Sequence, residues 1–103
     1  MDFQIVWTEP ALADLEAILR YVATHDSAAA EELRVELLGS VATLQRFPFL
    51  GPVYERDRTG RSREIVCRRY RIFYRVDEVA KRVEVLTIWH SARREPRLPD
   101  PGT

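Results

Sequence analysis

Two stretches of this chain hold residues whose types could do chemistry. One is Tyr70-Arg71-Ile72-Phe73-Tyr74-Arg75-Val76; the other is Ile88-Trp89-His90-Ser91-Ala92-Arg93-Arg94. Arginine carries a planar fork of donors that meets phosphate or carboxylate through two bonds at once. Histidine is the side chain best suited to passing a proton near neutral pH. Basic residues interleaved with aromatics describe a platform for nucleic acid. The same spacing also describes the solvated outer face of a half-covered sheet, with Arg71, Phe73 and Arg75 outward and Ile72, Tyr74 and Val76 inward.

Other chemistries find little material. Cys67 is the only cysteine, and two histidines without paired spacing do not make a zinc site. Ser91 lacks a Gly-x-Ser-x-Gly setting, and Gly51 and Gly60 stand too far apart to build a phosphate-cradling loop. No cofactor or metal is expected.

The net charge of zero conceals a strong asymmetry. Residues 56–97 carry thirteen basic residues against six acids, whereas the first 55 carry three arginines against nine acids. An anionic partner for the second half is one reading, and mutual neutralisation of the two halves across the fold is the other. At 103 residues, 46% of them apolar, there is room for one domain, expected over 1–96 with a frayed tail at 97–103. No apolar run approaches the roughly 18–20 residues of a membrane span. With a lone cysteine and no basic-then-apolar leader, a cytoplasmic location is expected.

The elements that would position these residues follow from periodicity. Phe3-Gln4-Ile5-Val6-Trp7 reads as a strand. Thr8 reads as the cap of a helix opened by Glu9 and Pro10 and running to about Ala23, with Leu12, Leu15, Ile18, Leu19 and Val22 as its apolar stripe. Ser27 reads as the cap of a second helix that carries Leu33, Leu37, Val41 and Leu44 to about Phe47, before Pro48. From Arg63 the period becomes two, and three strands follow so closely that they must pair as antiparallel hairpins. The expected class is α+β: a strand, a helical hairpin, then a three-stranded antiparallel meander completing a small sheet.

That order, with several local sequences, resembles the RelE/ParE superfamily of toxins from type II toxin–antitoxin systems, and the ParE-like branch more than the RelE-like. The pieces are Ile5-Val6-Trp7-Thr8-Glu9-Pro10-Ala11 with the acidic Asp14, Leu44-Gln45-Arg46-Phe47-Pro48-Phe49-Leu50-Gly51, Arg63-Glu64-Ile65, the Tyr70–Val76 strand, and the His90-x-x-Arg93 ending. The resemblance implies growth arrest by one of two routes. RelE-like members cleave messenger RNA on the ribosome without metal; ParE-like members poison DNA gyrase. It also implies that Arg71 and Arg93, with His90, are the candidate activity residues.

Metal-free RNA cleavage needs a base, an acid and a cation for the phosphorane. Where RelE-like enzymes place lysines, this chain has Glu64 and Val66, and no tyrosine follows Arg94. These departures favour the gyrase route, with ribosome-dependent cleavage and a non-toxic co-repressor module as the alternatives. The resemblance further implies a hetero-oligomer with a cognate, ParD-like antitoxin whose tail folds as it binds. Leu12, Leu15, Leu37, Arg63 and Arg75 are its expected contacts, in a groove between the helical hairpin and the sheet, unless those leucines are wholly internal.

Overall fold

Thr8 begins the first helix as its side chain predicts: Oγ1 accepts a hydrogen bond from the Ala11 amide at 3.4 Å. In the computed structural model, which describes residues 2–91, the elements are β1 (Gln4–Trp7), α1 (Glu9–Ala23), α2 (Ser27–Ala42), a short 3-10 turn (Thr43–Gln45), β2 (Ser62–Cys67), β3 (Tyr70–Asp77) and β4 (Arg82–His90). Arg93, Arg94 and the expected tail lie outside the described residues.

Two helix boundaries differ from the sequence reading. The cap of α2 is Asp26, whose carboxylate accepts from the Ala29 amide at 3.1 Å, and Ser27 is already helical. The helix ends at Ala42 rather than near Phe47. Thr43 Oγ1 donates to the carbonyls of Gly39 and Ser40 at 3.1 and 2.7 Å, which tightens the chain into a 3-10 turn that still buries Leu44.

The sheet order is β1-β4-β3-β2. The β2–β3–β4 meander is antiparallel, as its short connections require. β1 pairs with β4 in parallel, Gln4 opposite Arg82 through Trp7 opposite Val85, so the helical hairpin is the crossover and the sheet is mixed. Leu15, Leu33, Leu37 and Val41 pack on Ile72, Val85 and Ile88, and Leu44 packs with Tyr74 and Val83. Each such side chain contributes roughly 1.5–3 kcal/mol of burial.

The other face of the sheet is less solvated than alternation suggests. Phe73 is fully buried, because the chain after α2 folds back and sets the Tyr54 ring edge-on against it at 4.9 Å. Gly51 anchors this return. Its amide donates to the Tyr74 hydroxyl at 2.9 Å, and its carbonyl accepts from Arg63 Nη1 at 2.8 Å.

Candidate functional site

β4 runs past the end of β1, whose last pair is Trp7 with Val85. The groups that β1 leaves open are met by the start of α1. Thr8 Oγ1 donates to the Val85 carbonyl at 2.7 Å, and Asp14 Oδ2 accepts from the Ile88 amide at 3.0 Å and from Thr87 Oγ1 at 2.5 Å. One carboxylate thus holds the last third of β4 against α1. Just beyond, His90 meets the Tyr70 ring edge-on at 5.3 Å.

Between α1 and these strand ends lies a cleft of about 620 Å³, lined by Asp14, Ile18, Tyr21, Tyr70, Trp89 and His90 among others. Val22 and Tyr70 also line a neighbouring hollow of about 460 Å³, with Leu33, Arg68 and Arg69. Together they form a groove with an apolar floor, Asp14 at one end and two arginines at the other. Arg68 takes φ 56°, a left-handed conformation that costs a non-glycine residue roughly 1–2 kcal/mol. Its guanidinium is held by Glu36 of α2, which also raises its pKa. Arg69 is exposed, and its side chain makes no hydrogen bond or ion pair among the described residues.

On the opposite face of the sheet, Arg71 Nε lies 2.8 Å from Glu64 Oε2, with both side chains about four-fifths buried. Its guanidinium also covers the rings of Phe73 at 5.1 Å and Tyr54 at 5.7 Å.

The profile of the family described as "ParE toxin of type II toxin-antitoxin system, parDE" matches residues 5–95. The chain belongs to the ParE toxin family. Solved structures agree on the fold. The chromosomal ParDE toxin–antitoxin system from P. aeruginosa is similar with a TM-score of 0.70 and 24% identity, covering 85% of this chain and 95% of that one. The toxin–antitoxin complex RelBE2 from Mycobacterium tuberculosis gives 0.59 and 22%, covering 87% and 99%. A double arginine-to-alanine mutant of E. coli toxin RelE in the free state gives 0.60 and 17%, covering 88% and 85%. No curated protein matches the chain.

In this ParE-type toxin the candidate residues do not converge on one point. Register puts Arg71 opposite Trp89, and Tyr70 opposite His90, so Arg71 and His90 project from opposite faces of the sheet. The guanidinium expected at 71 to await a substrate is already matched with a carboxylate. Arg93 lies outside the described residues.

The residues expected to meet an antitoxin are scattered as well. Leu15 and Leu37 are core residues, 9% and 0% exposed, whereas Leu12 is 43% exposed. Arg63 holds the Gly51 carbonyl and lies over the Phe49 ring at 5.0 Å. Arg75 stands opposite Ser62, and its buried Nε has no acceptor among the described residues. The groove is built instead by the other flank of α1. Tyr21, which is exposed, and Tyr70, which is half-buried, line it, and the sequence marks them only as aromatic residues.

Proposed function

We propose that this ParE-type toxin arrests growth by acting on DNA gyrase, and that a ParD-like antitoxin neutralises it by lying in the groove between α1 and the ends of β3 and β4. The observation that carries the first part is the Glu64–Arg71 pair. Cleaving RNA without metal demands an uncompensated cation where the phosphorane forms. Here a carboxylate occupies a position where cleaving members carry lysine, and it holds Arg71 at 2.8 Å. That arrangement disfavours a phosphate approaching the outer face. It leaves Arg93 as the arginine whose charge could serve the target.

The second part rests on shape and charge. The groove offers apolar side chains for an amphipathic segment and the guanidinium of Arg69 for an acid on it. The solved relatives include toxin–antitoxin systems, which supports a partner of this kind.

One observation favours the RNA-cleaving alternative: Asp14, Tyr70 and His90 line a common cleft, so proton-transfer groups are close together. A direct comparison separates the two. The purified chain is added to a gyrase supercoiling reaction and to a translation reaction programmed with a defined messenger. Inhibited supercoiling with intact messenger is expected, and so are filamentation and a DNA-damage response on induction in cells, relieved by Arg93→Ala. Cleaved messenger with normal supercoiling would overturn the gyrase assignment. Absence of any arrest would leave an antitoxin-binding module.

A further inference from the structure

Far from the groove, at the opposite end of the sheet, the turn of residues 55–61 leads into β2. Its sequence is Glu55-Arg56-Asp57-Arg58-Thr59-Gly60-Arg61, without one apolar side chain. Asp57 builds it. The carboxylate accepts from the amides of Ser62 at 2.8 Å and Thr59 at 3.1 Å, and from the Thr59 hydroxyl at 2.9 Å. The Asp57 carbonyl accepts from the Gly60 amide at 3.0 Å, and Gly60 takes φ 68°, which glycine adopts without strain. The negative charge of Asp57 is thus turned into the loop.

The three arginines are left outward. Arg56, Arg58 and Arg61 are all exposed, and none of their guanidinium groups makes a hydrogen bond or ion pair among the described residues. Arg75 faces Ser62 in the β2–β3 register, and its buried Nε has no acceptor among the described residues. The acids nearby are Glu55 in the turn, Glu84 opposite Arg75, and Asp77, which sits 3.8 Å from Arg82.

We propose that this turn is an anion-binding site that grips the sugar–phosphate backbone of duplex DNA through Arg56, Arg58 and Arg61. A short turn fixed by its own aspartate leaves little backbone ordering to do on binding, and the planar fork of each arginine limits what its side chain loses per bond. The chemistry distinguishes the partner. Protein interfaces draw their energy from buried aromatic and aliphatic anchors, and an anionic membrane surface is held most firmly when apolar side chains also insert. This turn has neither kind of anchor. Phosphate contacts need only charge and donors, and they carry no sequence information. The site stands apart from the choice of gyrase as target, since it needs only the duplex.

The test uses the full chain made by cell-free synthesis and a fluorescein-labelled 20-base-pair duplex DNA of mixed sequence, read by anisotropy across a salt series. The expected result is that Arg56→Gln/Arg58→Gln/Arg61→Gln binds at least about 10-fold more weakly near 0.1 M salt. Its log–log salt slope should be smaller by about 2.7, the value for three lost phosphate contacts. The triple Arg→Lys variant keeps the charge and should keep most of that slope. Thermal melting of both variants should match the parent, because none of the three side chains supports the fold.

Equal binding by the glutamine variant would overturn the proposal, as would failure of the parent chain to bind duplex DNA. Preference for duplex RNA of the same sequence, or for phosphatidylglycerol vesicles, over the DNA would overturn it too. So would loss of toxicity in the glutamine variant with DNA binding intact, which would assign the turn to an acidic protein. A failed supercoiling assay with DNA binding as expected would sink the gyrase reading and leave this one standing.

Discussion

Glu64 of β2 and Arg71 of β3 lie on a diagonal of the sheet, Glu64 standing opposite Phe73 and Arg71 opposite Val66. Their charged groups meet at 2.8 Å with about 20% of each side chain exposed. In a pair this sheltered desolvation offsets much of the attraction, but removing one member strands the other. Arg71→Ala should therefore lower stability by about 1–2 kcal/mol through the orphaned carboxylate. The double variant Glu64→Gln/Arg71→Ala, which removes the orphaned charge, should recover part of that loss. A double-mutant cycle in urea should give a coupling of about 1 kcal/mol; strict additivity would show that the pair contributes nothing. Toxicity measurements on Arg71→Ala have to be read against this loss of fold.

Gly51 comes so close to β2 that a Cβ on it would lie 2.3 Å from the Glu64 carbonyl oxygen and 2.9 Å from Ile65 Cγ2. The first contact is with backbone, so the loop has to move. Gly51→Ala is expected to cost about 2–3 kcal/mol, which in a domain of this size lowers the melting temperature by roughly 10–20 °C. Gly39, exposed in the last turn of α2 with nothing within 4 Å of an added Cβ, is the control. Gly39→Ala should raise stability by about 0.5–1 kcal/mol. If the two alanines behaved alike, the close approach at Gly51 would be discounted.

The parts of the fold legible in the sequence are those set by neighbours along the chain. The stripe on α1, the Thr8 cap and the meander all follow from periodicity and hydrogen-bonding chemistry. At the start of α2 the chain offers two capping residues in a row, Asp26 and Ser27, and composition does not rank them; geometry selects the carboxylate. What the sequence conceals depends on register and on which flank of a helix is covered. Phe73 reads as an outward residue because alternation ignores the Tyr54 loop folding over it. Arg71 reads as available because Glu64 is seven residues away and meets it only after β2 and β3 pair. Leu15, Leu37 and Ile18 belong to equally plausible stripes, yet only Ile18 borders the groove.

Two titrating groups bracket the stability profile. Burial pushes the Asp57 carboxyl up, but hydrogen bonds from Ser62 and Thr59 outweigh it and bring its pKa from 3.8 to about 2. A depressed pKa stabilises the folded state above the unfolded value, so this contribution is complete above about pH 4 and fades as pH falls toward 2. Tyr74 shows the opposite sign. Burial raises its phenol above the ordinary 10, so its contribution is complete below about pH 10 and is lost as pH climbs through the folded value. Urea midpoints measured from pH 2 to 5 should fall less steeply in Asp57→Asn than in the parent. From pH 9 to 11 they should fall less steeply in Tyr74→Phe. Tyr74→Phe should also cost about 1–2 kcal/mol at neutral pH, because the buried Gly51 amide loses its acceptor.

Asp14 carries the closest link between helix and site. Its Oδ2 takes the Ile88 amide and the Thr87 hydroxyl, and these are the bonds that keep β4 against α1 after β1 has ended. Trp89 and His90 follow directly, so β3 holds this wall of the groove on one side and a single carboxylate holds it on the side facing α1. Asp14→Asn keeps one carbonyl oxygen for the amide and should cost little, about 0.5–1 kcal/mol. Asp14→Ala leaves both donors without a partner and should cost about 2 kcal/mol. The decisive measurement is amide hydrogen exchange at Ile88, which should speed up in the alanine variant far more than at Ile72 in the centre of the sheet. Binding of the antitoxin should weaken in the same order, because the segment would meet a frayed strand end. If exchange at Ile88 stays at the parent rate in Asp14→Ala, the aspartate does not hold β4, and the groove is shaped by packing alone.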